Sequence, residues 1–122
     1  MAEDTLERLT GICLAMPGAT RELKGQHAAF LSGKRTFAYF LNDHHGDGMV
    51  AVACKVLPGE NASLIAAHPN RFYMPAYIGP RGWVALRLDT RRVDWKEVAD
   101  LVKVSYGQVT KKKAPAPSRS RL

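Results

Sequence analysis

The sequence has little cysteine: two thiols, Cys13 and Cys54, in 122 residues. Two thiols cannot build a disulfide framework, and no Cys-x-x-Cys spacing is present, which argues against a stapled secreted scaffold and a dithiol redox motif. No run approaches the roughly 20 apolar residues that a membrane-spanning helix needs. The opening Met-Ala-Glu-Asp-Thr-Leu-Glu is acidic where a secretory or transit peptide is basic, so a cytoplasmic location is expected. Also missing are G-x-S-x-G, Walker A, G-x-G-x-x-G and H-E-x-x-H patterns, and any pair of carboxylates suited to acid–base work. The expectation is a non-enzymatic protein with no cofactor.

What is present is an ordinary globular composition, 46% apolar and 24% charged, in a length that fits one domain. The charge is unevenly spread. The chain carries 18 Lys and Arg against 11 Asp and Glu, a net +7. Residues 111–122, Lys-Lys-Lys-Ala-Pro-Ala-Pro-Ser-Arg-Ser-Arg-Leu, hold five of the basic residues and none of the acids, leaving +2 for residues 1–110. Alternating Pro and Ala among Ser and Arg cannot supply a core, so residues 111–122 read as a disordered basic tail. Such a segment attracts polyanions by counterion release, or serves only as a solubilising end. The terminal Ser120-Arg121-Leu122 differs from the peroxisomal Ser-Lys-Leu address by one basic-for-basic exchange, and on a tail rich in Arg and Ser it carries no weight.

Hydrophobic spacing organises residues 1–110. Leu6, Leu9, Cys13 and Met16 recur at helical spacing, giving a first helix from about Asp4, its cap, with Glu7 as capping-box partner, to Met16. From Ala28 the period changes to two. Residues 28–32 and 36–42 flank Gly33-Lys34-Arg35 as a hairpin, and residues 49–55 form a further strand after the Asp43–Gly48 turn. A short helix spans residues 60–68, residues 70–82 read as irregular, and residues 83–88 alternate again. The last helix starts at Asp94, with Glu97 as a second capping-box partner, and ends near Thr110. This order predicts an α+β domain over residues 1–110, an antiparallel sheet with helices packed on one face. Leu6, Leu9, Cys13, Phe37, Val52, Leu64, Val84, Leu86, Leu88, Trp95, Val98 and Leu101 are expected in its core.

Four segments in this order resemble the MmcQ/YjbR-like family, whose members are often labelled DNA-binding. They are Cys-Leu-Ala-Met-Pro-Gly-Ala-Thr at 13–20, and His27-Ala-Ala-Phe30 leading into Gly33-Lys34-Arg35-Thr36-Phe37-Ala38. The others are Tyr77-Ile-Gly79-Pro-Arg-Gly82-Trp83-Val84, and Val93-Asp94-Trp95 before a helix containing Ser105-Tyr106. The resemblance spans about residues 6–110. It implies a frataxin-like (CyaY-like) fold with a double-wing arrangement of hairpins and, from that shape, DNA as partner. The adjacent His44-His45 and the basic tail depart from the family pattern.

Fold likeness alone does not assign function, so the residues must be weighed directly. Phosphate contacts need exposed Lys and Arg, and single strands need nearby aromatic faces. Lys34, Arg35, Arg81, Trp83, Arg87, Arg91 and Arg92 are the candidates in the domain, with Lys111, Lys112 and Lys113 in the tail. Arg71, Tyr73 and Tyr77 lie near them in sequence. Trp83 and Arg87 share one strand face; the alternative is that Trp83 packs under the 72–80 loop and Arg87 pairs with a carboxylate. Gly79-Pro80-Arg81-Gly82 shapes a turn and offers a phosphate nest as its second reading. Arg81-Gly82-Trp83 begins like the RNP1 motif, but Val84 and Ala85 break it.

His27, His44, His45, His68 and Cys54 have no metal-ligand spacing, and neighbouring histidines on an extended segment point apart. Iron at an acidic helix is excluded by the few carboxylates of the first helix, Glu3, Asp4 and Glu7. Cys13 with His27 is a conceivable nucleophile and base, but Cys13 lies on an apolar stripe.

Two readings therefore stand. One is a nucleic-acid-binding module. The other is a small-ligand- or protein-binding module without nucleic-acid affinity, its pocket lined by His27, Tyr77 and Trp83. The domain boundary is checked by limited proteolysis: cleavage within residues 111–122 is expected before any cut within residues 70–82.

Overall fold

The structure, a computed structural model, describes residues 2–110. The tail, with Lys111, Lys112 and Lys113, lies outside the described residues. Three helices, α1 (Ala2–Leu14), α2 (Glu60–Ala67) and α3 (Trp95–Thr110), accompany six strands. These are β1 (Ala19–Lys24), β2 (His27–Ser32), β3 (Arg35–Asn42), β4 (Val50–Lys55), β5 (Phe72–Tyr73) and β6 (Trp83–Arg87). All neighbours are antiparallel, in the order β1-β2-β3-β4-β6-β5. The expected α+β architecture is what forms.

The period-two segments divide their side chains between two faces. Ala28, Phe30, Ala38, Phe40, Val52, Cys54, Val84, Leu86 and Phe72 pack with Leu9, Cys13, Val98, Leu101 and Val102 of α1 and α3 into the main core. Leu6, Leu64 and Trp95, expected inside, are partly buried at its margin. The opposite face is not left open. Trp83, Leu41 and Ala53 form a second buried cluster with Tyr39 and Ile78, so the 74–82 segment folds back over the sheet.

One irregularity fixes how α3 meets the sheet. The β2–β3 register pairs Phe30 with Ala38 but Leu31 with Thr36, making Phe37 the extra residue of a β-bulge. The β3–β4 ladder stops at Ala38–Cys54. Where Phe37 and Lys55 would continue it, the Ser105 hydroxyl intervenes. It donates to the Phe37 carbonyl and accepts from the Lys55 N–H at 2.8 Å. Ser105 is fully buried.

Three local expectations are corrected. α1 begins at Ala2, so Asp4 lies inside its first turn rather than capping it, and Glu7 pairs with Arg21 instead. Asp94 does cap α3, accepting from Lys96 N at 3.0 Å and Glu97 N at 3.3 Å. Glu97, however, binds Arg71 through both oxygens, at 3.0 and 2.9 Å. Finally, residues 19–24 form an edge strand, and residues 72–73 a two-residue strand at the other edge, where the sequence suggested none.

Removing the bridge tests its importance. Ser105→Ala removes the partner of the buried Phe37 carbonyl and of the partly buried Lys55 N–H and is expected to cost about 1–3 kcal/mol of unfolding free energy in urea. The exposed Ser63→Ala is expected to stay within about 0.5 kcal/mol. Equal stability of the two variants would contradict the bridge.

Candidate functional site

The antiparallel register sorts the candidate residues between the two ends of the sheet. At one end lie the β2–β3 turn with Lys34 and Arg35, the Lys55 end of β4, and Arg81 just before β6. The C-terminal turn of α3 reaches the same end, where Arg35 donates to the Val109 carbonyl at 3.0 Å. The other end carries Arg87, Arg91 and Arg92 together with the 43–49 loop and the start of α3. Four residues of β6, about 13 Å at the usual strand rise, separate Trp83 from Arg87. The basic residues named from the sequence therefore do not form one stripe.

The two ends differ in how their charges are used. Arg87 binds Asp89 at 2.9 and 3.3 Å, and Arg71 binds Glu97. Burial pushes the Asp89 carboxyl up, but bonds from Arg87 and the Val50 N–H outweigh it and hold the group below its ordinary value. Arg87 and Arg71 are raised by hydrogen bonds to these carboxylates. The described ion pairs include none of Lys34, Arg35, Lys55 and Arg81 at the Lys34 end, and neither Arg91 nor Arg92 at the other.

Beside these residues opens a cleft of about 670 Å³, between residues 55–61 and 79–82. Its lining includes Lys55, Arg81, Gln108, Gly59 and Gly82 and contains no carboxylate. Gly59 and Gly82 have φ of 84° and 96°, a left-handed conformation that other residues rarely adopt. Asn61, at the start of α2, is buried, and its amide nitrogen donates to the Gly79 and Trp83 carbonyls at 3.0 and 3.1 Å. Asn61 thus ties the glycine-containing turn to α2. Nothing in its sequence context singles it out, since a polar residue in a short helix reads as solvated. The Gly-Pro-Arg-Gly turn was the signal that pointed nearby.

The three-residue pocket expected from His27, Tyr77 and Trp83 does not form. Trp83 is 8% exposed and packs on Tyr39, with ring centres 5.4 Å apart, under Ile78. Its face is therefore not offered to a nucleic-acid base. Its strand partner is Lys55, whereas His27 lies near the far end of the sheet, its Nδ1 accepting from Asn42 N at 3.3 Å. Tyr77 is 80% exposed. His27 meets His44 edge-on with ring centres 5.2 Å apart, while His68 lies beside Phe72. Among the described residues no three His, Cys, Asp or Glu side chains converge on one point.

The fold, though not the site, can be set beside known proteins. A family model, YjbR, matches residues 14–108. The chain belongs to the YjbR family. The crystal structure of the Deinococcus radiodurans protein DR2400, described with the domain DUF419, is similar, with a TM-score of 0.70 and 25% identity. That match covers 88% of this chain and 79% of the other. No curated protein matches this chain. No helix among the described residues is long and apolar enough to cross a membrane.

Both thiols lie on the helix-covered side of the YjbR sheet, buried in the core. Burial pushes the Cys13 thiol up to about 12 from 9.0, and burial followed by the neighbouring Cys13 raises Cys54. The thiolate is the reactive form, so neither group is a ready nucleophile. A folded thiol that keeps its proton to about 12 favours the native state fully below pH 9.0; that advantage is lost as pH rises toward 12. At pH 9.0 a disulfide reagent is expected to label neither cysteine in native protein and both after denaturation. Rapid native labelling of Cys13 would contradict this.

Proposed function

We propose that this YjbR-family protein binds nucleic acid without catalysing a reaction, through the Lys34 end of its sheet. The observation that carries the reading is the segregation of charge. Lys34, Arg35 and Arg81 are exposed and belong to none of the described ion pairs. At the other end Arg71 and Arg87 are neutralised by Glu97 and Asp89, and only Arg91 and Arg92 of the arginines named there stay outside the described pairs. Cations that face water without a carboxylate keep their full attraction for phosphate.

The β2–β3 turn and the Gly79–Gly82 turn act as the two wings. Gly33, at φ 63°, closes the first turn and Gly82 the second, so both tips are shaped by backbone conformations that suit glycine. α3 ends at Thr110 beside Arg35, and the sequence continues directly into Lys111-Lys112-Lys113. The charge of residues 111–122 is proposed to add to that of this end. With Trp83 covered, recognition rests on phosphate contacts rather than base stacking, and weak sequence preference is expected.

A salt titration of duplex DNA affinity separates the contributions. Deleting residues 111–122 is expected to weaken binding and flatten the dependence of log K on log salt by about 0.9 for each phosphate that is no longer neutralised. In that shortened protein, Lys34→Ala/Arg35→Ala/Arg81→Ala is expected to flatten it further. Arg87→Ala/Arg91→Ala/Arg92→Ala is expected to change it less. Equal effects of the two triple variants, or no binding by the shortened protein at low salt, would overturn the reading.

A further inference from the structure

We propose that the cleft between residues 55–61 and 79–82 seats a single nucleotide unit, its phosphate on Lys55 and Arg81. The inference rests on the nucleic-acid reading only for the source of that nucleotide, which is a strand or a free nucleoside phosphate. Its chemistry follows from the walls. Lys55 and Arg81 face a space that no carboxylate lines, so the charge that completes the cleft is negative. The volume of about 670 Å³ lies within the roughly 300–1,000 Å³ usual for small-molecule sites and far exceeds what one phosphate fills.

The remaining lining fits the organic part of a nucleotide. Pro58, Met74 and Pro80 give apolar surface for a sugar or base, and the Gln108 amide offers a donor and an acceptor. A Cβ placed on Gly59 would meet nothing within 4 Å, so the backbone there is bare and open to approach. Asn61 is not available to the ligand. Its amide nitrogen holds Gly79 and Trp83, and its oxygen accepts from Ala62 N at 2.9 Å. It fixes one wall, while Ser105, one turn before Gln108, fixes α3 against the strand that carries Lys55.

Calorimetric titration of the full chain with a nucleoside 5′-monophosphate, inorganic phosphate and a single-stranded oligonucleotide tests the seat. Wild-type protein is expected to bind the monophosphate more tightly than inorganic phosphate. Lys55→Ala is expected to weaken the monophosphate by about tenfold, the usual order for removal of a charge-assisted bond. Gln108→Ala is expected to weaken it several-fold, and Lys96→Ala, which alters an exposed lysine at the start of α3, to leave it within about twofold. Lys55 keeps its backbone bond to Ser105 in the variant, and a circular dichroism melt verifies folding.

If Lys55→Ala also weakens the oligonucleotide, and the monophosphate competes with it, the strand supplies the nucleotide. If only the monophosphate is affected, a free nucleotide does. Both outcomes support the seat. Wild-type protein that binds the monophosphate but no oligonucleotide would keep the seat and remove the nucleic-acid reading. No monophosphate binding by wild-type protein, or equal affinity in Lys55→Ala, would overturn the seat.

Discussion

The Ser105 hydroxyl spans the gap between two strands and a helix, and the rest of the architecture depends on it. A β-bulge at Phe37 carries its ring into the core, and the β3–β4 ladder ends at Ala38–Cys54. A buried carbonyl and a partly buried N–H cannot be left unpaired without a cost comparable to a sizeable fraction of a small domain's stability. Ser105 resolves both, and in doing so sets the position of α3 along the sheet. Gln108 then falls at the cleft and Val109 within reach of Arg35. Packing, register and the composition of one end of the molecule are thereby linked.

That end differs from the other in kind. Around β6's far terminus two arginines are matched with carboxylates and serve the fold: Arg87 closes on Asp89, which also accepts from Val50 N, and Arg71 braces α3 through Glu97, while Arg91 and Arg92 are exposed and in none of the described ion pairs. Each such pair is worth little in isolation, but together they anchor the 87–97 connection between the last strand and the last helix. At the opposite end Lys34 and Arg35 sit at the β2–β3 turn beside Gly33, and Lys55 and Arg81 line a cleft. The near-neutral net charge of residues 1–110 conceals this difference, because it averages paired arginines with cations outside the described ion pairs.

Much of the fold is legible in the sequence because period and breakers agree. Val84, Leu86 and Leu88 alternate cleanly and all reach the core, and Pro58-Gly59 and Pro69 bound α2 as expected. β1 is not legible. Ala19–Lys24 is an edge strand, mostly exposed, and its Arg, Glu and Lys residues protect that edge rather than mark a buried face. Glu97 shows a different failure. Its spacing from Asp94 matches a capping box, but the sequence cannot disclose that Arg71, 26 residues away, competes for the carboxylate. Of the site, Lys34, Arg35 and Arg81 are visible as charges on turns, and the alternation of β6 places Trp83 correctly on the face opposite the main core. Whether that face is covered depends on the 74–82 segment, whose prolines and glycines specify turns but not their direction. Lys55, Asn61 and Gln108 acquire meaning only when β4, α2 and α3 are brought together.

The central claim is that the Lys34 end of the sheet is the working surface. Backbone amide chemical-shift mapping of the full chain with a short DNA duplex tests it most directly. Changes confined to residues 33–35, 55–59, 79–82 and the end of α3 are predicted. Changes centred on residues 87–94, with the Lys34 end silent, would contradict it.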